Sequence, residues 1–206
     1  MTATDTGNAG GTPDYTLDAH GWCAGARHLP SPNFDQRPAG TAIDLLVIHN
    51  ISLPPGQFGG PYIAALFSNT LDHDAHPYFD QLRPLRVSAH FLILRTGELM
   101  QFVSADARAW HAGVSQFDGR ERCNDFSIGI ELEGSDFVPF EAAQYRCLAA
   151  LTQALLQRYP LVSVIGHEHI APGRKTDPGP FFDWSAYRKC CIAEQKSGEL
   201  CFPMLT

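Results

Sequence analysis

An α/β fold, one domain with a mixed central β-sheet packed by helices, is what this 206-residue chain predicts. Three observations predict it. Short apolar runs of strand length recur along the chain, two of them flank a hairpin signal, and longer stretches of helical period lie between the others. The length suits a single domain. A hydrophobic fraction of 44% and an aromatic fraction of 11% are ordinary for a chain that fills one core.

Taken in order, residues 1–20 form a polar extension rich in Gly and Thr, expected to be disordered, with the folded part starting near Gly21 and Trp22. Leu45-Leu46-Val47-Ile48 is an unbroken apolar run, as a strand covered on both faces requires. Pro61 opens a helix in which Ile63, Leu66 and Phe67 recur at helical spacing. Strands over 87–95 and 99–103 flank Thr96-Gly97-Glu98, a hairpin turn. SIGIELEG (127–134) reads as another strand. Glu141 to Tyr159 is the longest helix, with Tyr145, Leu148, Thr152, Leu155 and Tyr159 on one face and Pro160 ending it. A strand over 162–166 and a final helix capped by Asp183 complete a domain spanning 21–193, and 194–206 is expected to be a loose tail.

A net charge of −7 argues against nucleic acid as a partner, so an anionic ligand would need a local basic patch. The six cysteines include no CxxC pair, and a chain of this size needs no disulfide framework, so free thiols in a reducing compartment are expected. The first residues carry neither a basic region nor an apolar stretch, and no run approaches a membrane span. The expectation is a cytoplasmic protein with no membrane partner.

His49 and His167 each follow an apolar strand, and α/β sheets gather ligand sites where strands end. In strand 127–134 the period of two sends Ile128, Ile130 and Leu132 to one face. Ser127, Gly129, Glu131 and Glu133 take the other, where small Gly129 leaves room beside two carboxylates. A carboxylate in an apolar strand needs a partner or a cation. A catalytic zinc takes three His or carboxylate ligands and keeps a position open for water. His49, His167 and Asp177 as ligands, Glu131 as base and Lys175 as cation would make such a set. His90, His111 and His169 compete as ligands, there is no HExxH, and chemistry alone leaves the choice open.

Four segments go further: VIHNISLPPGQFGGPYI (47–63), RVSAHFLI (86–93), RAWHAGVSQFDGRERCNDFSIGIELEG (108–134) and GHEHIAPGRKTDPGPFFDW (166–184). In that order they closely resemble the zinc N-acetylmuramoyl-L-alanine amidases of family 2, AmpD type, relatives of phage T7 lysozyme and of the peptidoglycan recognition proteins. The resemblance implies that fold. It also implies hydrolysis of the amide between the lactyl group of 1,6-anhydro-N-acetylmuramic acid and the L-alanine of a stem peptide, in cytoplasmic peptidoglycan recycling. A monomer is expected. The resemblance implies Zn2+ on His49, His167 and Asp177, catalysis by Glu131 and Lys175, and a muropeptide cleft lined by Asn50, Tyr78, Arg86, Trp110 and Arg122. His169 departs from the family pattern, which has Asp there.

Overall fold

The computed structural model describes residues 13–194 and 200–203. Six strands form the central sheet: β1 (Arg27–His28), β2 (Leu45–Ile51), β3 (Phe91–Ile93), β4 (Leu99–Gln101), β5 (Ser127–Glu133) and β6 (Ser163–Gly166). Their order across the sheet is β6-β2-β5-β3-β4-β1. Most neighbours run parallel and the β3–β4 hairpin is antiparallel, so the sheet is mixed, as the sequence predicts. The helices are α1 (Tyr62–Phe67), α2 (Ala142–Leu156), α3 (His167–Ile170) and α4 (Trp184–Glu194).

Alternation decides what each face of the sheet does. Leu46, Ile48, Ile128, Ile130, Leu132 and Val164 pack with Leu148, Leu151 and Leu155 of α2 and with Tyr187 of α4 in one core. Within it the Tyr187 and Thr152 hydroxyls lie 2.7 Å apart, so neither is buried without a partner. On the opposite face Leu92 and Met100 join Phe67 of α1, Phe79 and Phe102 in a second cluster. That face also carries His49 and Glu131, and it is covered by α1 and loops where the first is covered by α2 and α4.

Three expectations need correction. The strand expected over 87–95 is confined to Phe91–Ile93, because the backbone of Val87 and Ser88 bonds to Asn33 Nδ2 and to the Trp110 carbonyl instead of to a sheet partner. Order begins before Gly21: Thr16–Leu17 pairs antiparallel with Cys23–Ala24. Asp18 closes the turn between them, its Oδ1 accepting from the amides of His20 and Trp22, and Gly21 supplies a φ of 73° that L side chains rarely adopt. Nor is the end wholly loose, since Cys201 donates to the Val162 carbonyl and accepts from the Val164 amide, both at 2.9 Å. β6 is an edge strand whose outer backbone groups need partners, and residues 200–203 supply some of them. The remainder of both expected tails, 1–12, 195–199 and 204–206, lies outside the described residues. Cys23, Cys123 and Cys147 are buried free thiols.

Candidate active site

Strand register assembles the site. In the parallel ladders Gly166 pairs with Ile48, and Glu131 pairs with His49. His167, one residue beyond Gly166, His49 and Glu131 therefore come from three adjacent strands at one level of the sheet. Asp177 arrives from the loop after α3, and its carbonyl accepts the Glu168 amide at 2.9 Å, which ties that loop to the start of α3.

Three atoms converge. His49 Nδ1, His167 Nδ1 and Asp177 Oδ2 form a triangle with every side 3.0 Å. His49 and His167 are 1% and 2% exposed and Asp177 is largely buried, so water does not screen these groups. The proton inventory tests what the triangle holds. His167 Nε2 lies 3.0 Å from the Ala112 carbonyl, which accepts only, so Nε2 donates there and a ring with a single proton turns a bare Nδ1 inward. Asp177 Oδ2 is likewise an acceptor. Lone pairs held this close in a buried site repel unless a cation lies among them, and two imidazole nitrogens with one carboxylate oxygen suit zinc. These residues fit a catalytic zinc site, which takes three protein ligands where a structural one takes four, and three converge among the described residues.

Glu131 lines the same cavity, of about 270 Å³, as do Asn50, Tyr78, Trp110 and Lys175. Its Oε2 is buried without a hydrogen-bond partner. Burial pushes its carboxyl well above the ordinary range, the Asp177 charge adds to that, and the Lys175 charge pulls it back down. Burial holds the His49 imidazole down to about 4, so it is neutral at physiological pH.

The residues named from sequence divide by place. Tyr78 lies on a 3-10 turn, Pro77–Leu82, whose Phe79 and Leu82 are buried and leave Tyr78 at the surface of the cavity. Asn50 spends its amide hydrogens on Asp136 Oδ1 at 2.7 Å and the Pro178 carbonyl at 3.0 Å, so only its oxygen is left for a ligand. Arg86 is exposed and lines an adjoining cavity with Trp110 and Lys175. Arg122 is not brought to the His49 cavity. It pairs with Asp125 at 3.3 Å, has a left-handed backbone at φ 60°, and lines a separate groove with Val114 and Arg174.

His169 lies outside the triangle. Its Nδ1 accepts the Gly166 amide at 3.2 Å and its ring meets Trp184 edge-on, so it fixes the first turn of α3. Glu133, on the same face as Glu131, is also structural: its carboxylate accepts the amides of Gly59 and Arg95. His111, a competing ligand in the sequence, stands outside the triangle, yet its Nδ1 lies 3.0 Å from His49 Nε2. The signal was Gly129. A Cβ built there would stand 2.5 Å from His111 Nδ1, so the space over the strand is filled by that imidazole.

The family model of N-acetylmuramoyl-L-alanine amidase matches residues 39–180. The 1,6-anhydro-N-acetylmuramyl-L-alanine amidase AmpD of Escherichia coli K12 is 61% identical over 170 residues, 82% of this chain and 93% of that one. A crystal structure of a selenomethionine AmpD derivative superposes with a TM-score of 0.82 at 60% identity, covering 84% of this chain and 98% of the other. Escherichia coli AmiD was solved with the substrate anhydro-N-acetylmuramic acid-L-Ala-D-γ-Glu-L-Lys. It is 30% identical with a TM-score of 0.53, over 84% of this chain and 65% of that one. With a lone-pair triangle beside an unpartnered buried carboxyl, in a fold shared with these enzymes, the chain belongs to the AmpD type of the N-acetylmuramoyl-L-alanine amidase family and is an enzyme.

Proposed function

We propose that this enzyme uses zinc to hydrolyse the amide between the lactyl group of 1,6-anhydro-N-acetylmuramic acid and the L-alanine of the stem peptide, as a monomer in cytoplasmic recycling of wall fragments. The triangle of His49 Nδ1, His167 Nδ1 and Asp177 Oδ2 beside Glu131 carries the reading. The substrate rests on the likeness to AmpD and to AmiD, whose structure holds an anhydro-muropeptide.

His49, His167 and Asp177 would hold the zinc, which supplies Lewis acidity toward the scissile carbonyl and an acidified water. Glu131, with a raised affinity for protons and one unpartnered oxygen, accepts the water's proton and delivers it to the departing alanine nitrogen. Lys175, on the loop that bears Asp177, brings its ammonium to the cavity and stabilises negative charge growing on the carbonyl oxygen. Tyr78, Trp110 and the free oxygen of Asn50 hold the sugar and the start of the peptide, and Arg86 meets a stem carboxylate. Arg122 reaches the peptide only where it runs on into the groove shared with Arg174.

The test is an assay of purified protein on an anhydro-muramyl tripeptide, with zinc, after chelation and after zinc is restored. Free tripeptide appears in the first and third cases and falls to background in the second. Release that survives chelation overturns the zinc mechanism, and no release from zinc-loaded protein overturns the substrate.

A further inference from the structure

His111 lines the cavity beside His49 and closes a hydrogen-bond chain whose direction is fixed from its far end. Ser127 Oγ lies 2.6 Å from the Cys123 carbonyl, which only accepts, so the single hydroxyl proton is spent there. His111 Nε2 lies 3.3 Å from the same Oγ and must donate to it. A neutral His111 then has no proton on Nδ1, which accepts from His49 Nε2 at 3.0 Å. His49, having its proton on Nε2, turns a bare Nδ1 toward His167 Nδ1 and Asp177 Oδ2.

The neighbouring residue does the same for the other ligand, since the Ala112 carbonyl takes the proton of His167 Nε2. Both residues are held by one side chain: the amides of His111 and Ala112 donate to Asn124 Oδ1 at 3.1 and 2.8 Å. Gly129 completes the seat, because any side chain there would occupy the imidazole's place.

We infer that His111 is a positioning residue that sets the tautomer of His49, through Ser127 and the Cys123 carbonyl, and so keeps His49 Nδ1 free to bind the metal. The inference rests on the zinc reading above for its purpose but not for its proton pattern. Partners of this kind are commonly worth about 10- to 100-fold in metal affinity.

The experiment has two arms. Nitrogen-15 NMR of the zinc-free protein at pH 8 reads the tautomers directly, with His49 and His111 expected protonated on Nε2. Zinc affinity by competition with a chelator is then compared across variants. His111→Leu is expected to bind about 10- to 100-fold more weakly. His111→Asn, whose oxygen accepts where Nδ1 does, stays within a few-fold of the native protein. Circular dichroism checks that each variant is folded, and if His111→Leu is not, the Asn variant and the tautomers decide. His49 protonated on Nδ1, or a folded His111→Leu with native affinity, overturns the inference. Native protein that shows the expected tautomers but binds no zinc overturns the zinc reading and leaves the proton chain standing.

Discussion

At the scale of single residues, the proposed mechanism separates groups that hold a cation from groups that move a proton or meet a charge. Glu131 stands outside the triangle of His49, His167 and Asp177, and the proposed mechanism makes it a base and not a ligand. Glu131→Gln is therefore expected to keep one zinc per chain by metal analysis and to lower kcat by about 10²- to 10⁴-fold, the ordinary contribution of a general base. Zinc lost together with activity would show that Glu131 had been given the wrong role. In the proposed mechanism Lys175 serves charge that develops during the reaction, so Lys175→Met should lower kcat by about 10²- to 10³-fold with little change in KM. A change confined to KM would make it a substrate contact.

At the scale of elements, the sheet could be read from sequence because its signals are local. The run Leu45–Ile48 and the alternation in SIGIELE name the strands, and the period of two puts Glu131 on the face away from α2 and α4. The level at which His49, His167 and Glu131 meet follows from parallel register, which no single strand encodes. His111 shows the limit. It follows a two-residue strand in a loop, and only the fold lays its ring across Gly129. His169 shows the reverse: the chelating spacing from His167 is real, but its Nδ1 is committed to the Gly166 amide. The extent of the 87–95 strand was misjudged for a related reason, since partners from Asn33 and Trp110 compete for its backbone and are remote in sequence. Gly129→Ala tests the contact between strand and loop. The added methyl must push the His111 ring aside, so stability should fall by about 1–3 kcal/mol by urea denaturation, with weaker zinc binding. An unchanged denaturation midpoint would mean that the ring moves away at no cost.

At the scale of the whole molecule, burial of uncharged histidines makes folding depend on pH. His90 is 0% exposed. Its Nδ1 accepts the Gly129 amide at 3.0 Å, and its Nε2 donates to the Ala107 carbonyl at 3.1 Å. Burial, reinforced by the Arg37 charge, drives its pKa from the ordinary 6.5 down to about 3. The unfolded chain therefore takes up a proton near pH 6.5, while the folded chain refuses it until near pH 3. The stability tied to His90 is present in full above 6.5 and drains away as pH falls from there toward 3. At about 1.4 kcal/mol per pH unit, the step from pH 6.5 to 5 should remove about 2 kcal/mol. His49, similarly depressed, adds to the loss in the zinc-free protein, so the measurement must be a difference. Urea denaturation of zinc-free native protein and of His90→Gln at several pH values between 7 and 5 supplies it. The native slope should exceed that of the variant by nearly one bound proton, whatever the variant's own stability. Parallel slopes would show that His90 takes up its proton in the folded state, and that acid weakens this fold elsewhere.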